Sequence, residues 1–155
     1  MDQVLSFIRS QDLLAIACSL NESIWIANVY FVADDKGKMF FISPEGTKHS
    51  LMIKQNPKVA FSTAWFDPNN HKNRKAVQGF GICRQVNDIA EVSEGLKLLW
   101  NKFSDMRDIL SPEWIAKNIW GTRLWTIETD YIKYWDDEIY GDDEFAEYNV
   151  SRETL

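Results

Sequence analysis

The sequence IWIANVYFVADDKGKMFFIS, residues 24–43, joins two apolar, strand-like runs through a glycine turn. Both alternating sides of the first run, residues 24–32, are largely apolar, as is typical of a barrel strand that is covered on both faces. Asp34 and Gly37 mark a hairpin turn, because glycine tolerates the positive φ that such turns need. The stretch therefore predicts a hairpin of two buried strands, the second at residues 39–43.

Outward from this hairpin, the same criteria predict further strands at residues 13–20, 58–66, 75–86 and 123–135, with a polar loop at 67–74. Short helices are predicted at residues 2–9, 47–55 and 88–103 and from Ser111 onward. Asp2, Thr47 and Asp88 are their candidate N-caps, and Ile89 belongs to the apolar stripe of the third helix. The chain is thus predicted to be mainly β (β or α+β), a six-stranded antiparallel barrel with a few short peripheral helices.

Composition excludes several classes of protein. The 155 residues, 45% of them apolar, suit one globular domain. Cys18 and Cys83 lie in strand-like runs without a CxxC motif, and His49 and His71 are the two histidines, so we expect no disulfide scaffold and no metal site. No apolar run is long enough for a membrane span, and the first ten residues lack the pattern of a secretion signal. We therefore expect a cytoplasmic protein.

The most informative local feature is Thr47-Lys48-His49 at the predicted start of a helix. Positive charge is unfavourable there on its own, because the free N–H groups of a helix start already carry partial positive charge. A helix start that adds a lysine and hydroxyl groups is suited to bind a phosphate. The alternative, that Thr47 is a plain cap and Lys48 a solvated residue, stays open on these residues alone.

The segments ANVYFV (27–32), MFFIS (39–43), TKH (47–49) and NPKVA (56–60) together resemble the FMN-binding split-barrel superfamily. Within it, the chain is similar to small proteins related to pyridoxamine 5'-phosphate oxidase, over about residues 5–135. The resemblance implies a split barrel that binds FMN, forms a homodimer with flavin sites at the interface, and acts as an oxidoreductase on a small-molecule substrate.

The resemblance also implies roles for residues on both ends of the flavin. At the phosphate end, Thr47 and Lys48 would hold the phosphate, and His49 would stand where relatives carry a second basic residue. Ile42 and Ser43 would lie close to the ribityl chain and the phosphate. At the ring end, the strand backbone would run along the flavin at Ile26, Ala27, Asn28 and Val29. Gln78 would reach the flavin from the second subunit, or be a surface residue, and Trp135 would flank the site, or be a core or interface residue.

Departures from the family leave the activity open. True pyridoxamine phosphate oxidases carry a C-terminal Arg-x-His segment, whereas residues 136–143 here read DDEIYGDD. The substrate therefore stays unknown. The alternatives are a non-catalytic flavin-binding or sensing protein, a heme-binding split barrel, and a deazaflavin in place of FMN.

Charge divides the chain into a domain at residues 1–135 and an acidic C-terminal tail at 136–155. The tail holds eight acidic residues and one arginine, a net charge of −7, which leaves +1 for the rest. Residues 1–135 are so nearly neutral that we expect no nucleic-acid partner, because binding to phosphates needs a basic face. Residues 136–148 also carry Ile139, Tyr140, Phe145 and Tyr148, so we weigh two hypotheses: the segment docks over the flavin entrance, or it is a mobile, solubilising tail.

Overall fold

The computed structural model describes residues 1–108, 110–116, 121–142 and 144–150. Their strands are β1 Leu13–Leu20, β2 Ser23–Ala33, β3 Met39–Pro44, β4 Lys58–Asp67, β5 Asn70–Gln85, β6 Thr122–Asp136 and β7 Ala146–Asn149. The helices are α1 Asp2–Ser10, α2 Lys48–Gln55, α3 Ile89–Lys102, α4 Pro112–Ala116 and α5 Asp137–Tyr140, with a 3₁₀ turn at Ser104–Asp108.

The strands pair in the order β3-β2-β1-β4-β5-β6-β7, and an additional pairing of β3 with β6 closes the first six into a barrel. All of these pairings are antiparallel. The long strand β6 makes the closure possible, because its residues 122–127 pair with β3 and its residues 131–134 pair with β7. The predicted antiparallel split barrel is therefore confirmed, with β7 as a strand that the sequence analysis did not predict.

Two apolar clusters support the sheet. The barrel interior contains the fully buried aromatic side chains of Phe31, Phe41 and Trp125. A second cluster lies between the sheet and α3, where Phe40 and Leu124 meet residues of the helix. The Trp125 ring stacks on Phe41 at 6.4 Å, and its Nε1 donates to the Ser43 carbonyl at 3.1 Å. This buried hydrogen bond fixes the end of β3, from which the chain turns into α2.

The predicted elements differ from the structure in three places. Strand β5 begins at Asn70 and not at residue 75, because Arg74 and Asn70 pair with Phe66 and Asp67 at the end of β4 in a tight hairpin. Asp2 lies in the first turn of α1, and Met1 occupies the N-cap position without a side-chain cap. Ile89 is 71% exposed, since α3 faces the sheet through residues such as Leu96 and Leu99.

Two features that the described ranges lack bear on function. No helix in them combines the length and apolar character needed to cross a membrane. The same ranges contain no group of three His, Cys, Asp or Glu residues placed to hold a metal ion.

Candidate functional site

The turn between β3 and α2 places Thr47 at the start of the helix. The Thr47 hydroxyl accepts a hydrogen bond from the Ser50 backbone N–H at 3.3 Å, so the predicted cap is confirmed. The turn itself is fixed at Glu45, whose backbone N–H donates to the Gly121 carbonyl at 2.8 Å and whose carboxylate pairs with Arg123 at 2.5 Å. Because first-turn N–H groups have no acceptor within the helix, this end of α2 is electrostatically suited to an anion.

A hydroxyl cluster, formed by Ser43, Thr47, Ser50 and the imidazole of His49, surrounds this helix start. His49 Nε2 lies 2.7 Å from Ser43 Oγ and 3.2 Å from Thr47 Oγ1. Thr47 Oγ1 in turn donates to Ser50 Oγ at 2.7 Å. The structure thus brings together three predicted site residues and adds Ser50, which is fully buried. Ser50 stands three residues after Thr47, the spacing of a capping contact, and this was the signal that could have found it.

His49 differs from the second basic residue of the family pattern. Burial lowers the pKa of its imidazole below the ordinary value, which favours the neutral form near neutral pH. One ring nitrogen is already engaged with the cluster hydroxyls. His49 therefore orients Ser43 and Thr47 instead of adding a fixed positive charge, and Lys48 is the cation that this helix start contributes.

Lys48 lies over the ring of Trp25, a residue that the sequence analysis did not assign to the site. Lys48 Nζ is 4.2 Å from the ring centroid, within the range of a cation–π contact. Trp25 is 40% exposed and lies on β2 beside Cys18, whose thiol lies 3.6 Å from the Trp25 carbonyl. Burial raises the pKa of Cys18, and the nearby Lys48 charge partly offsets that rise. The Lys48 ammonium group is thus held at the edge of the sheet where Cys18 of β1 pairs with Trp25 of β2.

An outer cavity of about 570 Å³ adjoins this edge, on the face of the sheet that points away from the barrel interior. Its floor contains the small side chains of Ala17 and Ala60, which register places side by side, and its walls include Ile24 and Phe80. Cys18 lines the cavity and is the strand partner of Trp25, over whose ring Lys48 lies. A flat apolar cavity and an anion-favouring helix start therefore lie next to each other.

The residues predicted along the flavin ring divide between two faces of β2. Ile26 is 63% exposed and Asn28 is exposed, both on the outer face beside the cavity. Ala27 and Val29 alternate with them, and Val29 is buried in the barrel core. Ile42 is turned away from the hydroxyl cluster, since its side chain packs against the second apolar cluster under α3.

Gln78 and Trp135 lie on β5 and β6, and within the described ranges no hydrogen bond, ion pair or ring contact joins either to the hydroxyl cluster. The pairs Asn28–Ala15, Ala15–Ser62 and Ser62–Gln78 place Gln78 on the outer face, level with Asn28. Three strand spacings separate the two, about 14 Å. Trp135 is half-buried, with the Arg74 guanidinium carbon 5.8 Å from its ring. Gln78 lies on β5 two residues before Phe80, which lines the outer cavity, and its contact with the flavin of a second subunit stays a prediction.

The first acidic residues of the tail are paired within the chain. Asp137 accepts from Arg74 Nε at 3.0 Å, and Lys75 lies 2.6 Å from Glu138 and 3.4 Å from Asp136. Farther on, β7 pairs with β6, and Tyr140 and Tyr148 pack against the barrel core. The hypothesis of a mobile tail is therefore wrong for residues 136–142 and 144–150. Asp143 and residues 151–155 lie outside the described residues.

Comparison with known proteins shows the fold of this chain. No family model matches the sequence. The UPF0306 protein of Pasteurella multocida is 23% identical over 138 residues, which cover 88% of this chain and 84% of that protein.

Two solved structures from Mycobacterium smegmatis resemble the chain. A heme binding protein has a TM-score of 0.76 at 9% identity, and the match covers 96% of this chain but 57% of that one. An FAD binding protein has a TM-score of 0.62 at 20% identity, with 86% of this chain and 92% of that one covered. At these identities the likeness concerns the backbone, and it shows that this chain has the split-barrel fold.

Proposed function

We propose that the chain is an FMN-binding flavoprotein, an oxidoreductase of the group related to pyridoxamine 5'-phosphate oxidase, with a substrate still to be found. The observation that carries the proposal is the adjacency of the alanine-floored outer cavity to the Lys48 end of α2, joined through the paired residues Cys18 and Trp25. FMN has the matching parts, a flat apolar ring and a terminal phosphate. The resemblance of residues 25–60 to the family supports the same ligand, as does the FAD-binding neighbour of similar fold.

The residues present fit FMN on two counts. Thr47 and Lys48 supply a hydroxyl and an ammonium beside the first-turn N–H groups of α2, which are the groups that a phosphate accepts from. Ala17 and Ala60 leave room over the sheet that larger side chains would fill. When bound, the flavin supplies the redox chemistry. The chain's own contribution is to hold the phosphate, to lay the ring along β2 and to exclude water from one ring face.

Identification of the bound molecule tests this proposal directly. Protein purified without added cofactor should release FMN on denaturation, detected by mass spectrometry, and should show flavin absorption before release. Bleaching by NADH or NADPH followed by reoxidation in air supports an oxidoreductase over a non-catalytic flavin-binding protein. Release of a deazaflavin, or failure to bind added FMN at micromolar concentration, would contradict the assignment.

A heme-binding protein is the second candidate, because a heme binding protein has the same fold at a TM-score of 0.76. His49 is the histidine beside the cavity edge, yet its Nε2 is engaged by Ser43 and Thr47. Heme ligation through this nitrogen would require those hydrogen bonds to break. Titration with heme should therefore give no sharp absorption band of a ligated heme, and such a band that is lost in His49→Gln would favour this candidate over the flavoprotein.

We also propose that the chain forms a homodimer through the outer face of the sheet. Exposed apolar side chains concentrate on this face, with Leu13 51%, Ile24 78%, Ile26 63% and Phe80 50% exposed. Single exposed apolar residues are ordinary, but a contiguous patch indicates an interface. A dimer would also bring Gln78 of one copy toward the cavity of the other.

Light scattering should give about twice the chain mass of 18.1 kDa. Ile26→Asp should shift the mass toward that of one chain, since it places a charge within the patch. Ile89→Asp is the matched control, because Ile89 is equally apolar and 71% exposed but lies on α3. A mass of one chain for the flavin-loaded protein would contradict the proposal.

A further inference from the structure

A second cavity, which we name the end cleft, opens at the end of the barrel opposite α2 and has a volume of about 440 Å³. Gln11, just before β1, lines the end cleft, and Cys18, near the other end of β1, lines the outer cavity. Seven residues of extended strand separate the two, about 23 Å. The end cleft is therefore distinct from the site proposed for the flavin.

The floor of the end cleft carries a negative balance of charge. Asp136 is 2% exposed, and it accepts a hydrogen bond from the Tyr134 hydroxyl at 2.8 Å. Lys75 Nζ lies 3.4 Å from the same carboxylate and 2.6 Å from Glu138. One ammonium thus faces two carboxylates, so an anionic ligand would meet net repulsion here. Burial and Asp136 raise the pKa of Tyr134, which keeps its hydroxyl protonated as a donor.

The walls of the end cleft are neutral and partly aromatic. Trp65 is 40% exposed, with Lys75 Nζ 5.9 Å from its ring centroid. Gln3 and Ser6, three residues apart on α1, line the same cleft on one helix face. Neither side chain has a hydrogen-bond partner among the described residues. The cleft therefore offers the flat ring face of Trp65 and the neutral donors and acceptors of Gln3 and Ser6. Lys75 has three N–H donors, so one remains for a ligand when the other two donate to Asp136 and Glu138.

We propose that the end cleft is a second small-molecule site, which binds a neutral, flat ring carrying a carbonyl or carboxamide group, as in nicotinamide and the pyrimidine bases. The ring stacks on Trp65, the carbonyl accepts from Lys75, and Gln3 and Ser6 exchange hydrogen bonds with the polar edge of the ring. The cavity volume falls in the range of about 300–1,000 Å³ that is usual for small-molecule sites. The negative balance of Lys75, Asp136 and Glu138 discriminates against a carboxylated form of the same ring.

Nicotinamide and nicotinate provide a matched pair of probes, since they share a ring and differ in charge. Titration of the ¹⁵N-labelled, flavin-loaded chain with nicotinamide should shift the indole N–H signal of Trp65 saturably, with a dissociation constant on the order of 1 mM. The Trp65 signal is assigned by its loss in Trp65→Leu. Nicotinate should bind about tenfold more weakly, because its carboxylate meets the negative floor.

Two variants test whether the nicotinamide effect belongs to the end cleft. Trp114→Leu removes a ring of similar exposure, 43%, on α4 and outside both cavities, and it should leave the nicotinamide shifts of Trp65 unchanged. Gln3→Ala, at an exposed helix position that folding tolerates, should weaken nicotinamide binding about threefold. Equal binding of nicotinate, an unshifted Trp65 signal, or unchanged affinity in Gln3→Ala would each overturn the proposal.

Discussion

Replacement of Lys48 by glutamine tests the phosphate end of the proposed flavin site most directly. A hydrogen bond to a charged group contributes about 1.5–3 kcal/mol, and the lower part of that range applies because Lys48 is exposed to solvent. We therefore expect Lys48→Gln to weaken FMN binding by about 1.5–2 kcal/mol, which is about 12- to 30-fold. Riboflavin, which has the same ring and no phosphate, should bind the variant about as well as it binds the unchanged chain.

The assay is fluorescence titration of both flavins at low and high salt. The FMN affinity of the unchanged chain should fall as salt is added, and this dependence should flatten in the variant, because the interaction between Lys48 and the phosphate is screened. Lys54→Gln is the control, since it removes the same charge from the same helix at a residue already paired with Glu45 at 3.4 Å. If FMN and riboflavin lose equal affinity in Lys48→Gln, the phosphate is bound elsewhere and the reasoning fails.

Three further predictions concern the framework of the site. Trp125→Phe should lower the free energy of unfolding by about 2–3 kcal/mol, measured by urea denaturation, because it leaves a small cavity and an unpaired Ser43 carbonyl; a loss below about 0.5 kcal/mol would refute this. His49→Gln should reduce the fall in melting temperature between pH 7.5 and pH 5.5. Because the pKa of His49 is lowered in the folded chain, the unfolded chain takes up the proton first as the pH falls. His49 therefore lowers the stability of the fold once the pH drops below the ordinary histidine pKa of about 6.5. If the melting temperature of His49→Gln depends on pH as that of the unchanged chain does, burial of His49 does not contribute to this dependence. Gly81→Ala should destabilise the chain by about 3 kcal/mol or more, because its Cβ would lie 2.1 Å from the Glu128 carbonyl oxygen, whereas Gly46→Ala, with open space around it, should be nearly neutral.

The fold was predictable where it depends on sequence patterns among neighbouring residues. The bounds of β1 match the structure, and those of β2 and β3 agree within one residue, because alternation and the Gly37 turn are encoded in neighbouring positions. Strand β7 was missed because its four residues, Ala146–Asn149, are too few for an alternating pattern to stand out among the acidic residues around them. The first part of β5 was missed because residues 70–75 are all polar and carry no apolar alternation, although they pair with the end of β4.

The same distinction holds for the candidate site. Thr47 was predictable as a cap because the capping contact spans three residues. The contact between Lys48 and Trp25 spans 23 residues and depends on how α2 crosses the end of β2, which the sequence pattern does not show. The neutral character of His49 follows from burial and likewise required the structure. The roles of Gln78 and Trp135 stay predictions, since each depends on a second copy or on a bound molecule.

The pairing of β7 with β6 has a consequence for solubility. Beyond its contact with β3, strand β6 would present the backbone N–H and C=O groups of residues 131–134 as an open edge if β7 were absent. Open edges recruit strands from other molecules and lead to aggregation. The short, polar β7 occupies that edge and carries Glu147, a charged residue of the kind that discourages further strand addition. Versions of the chain shortened to residue 135 should therefore aggregate during expression, even though the six strands of the closed barrel remain.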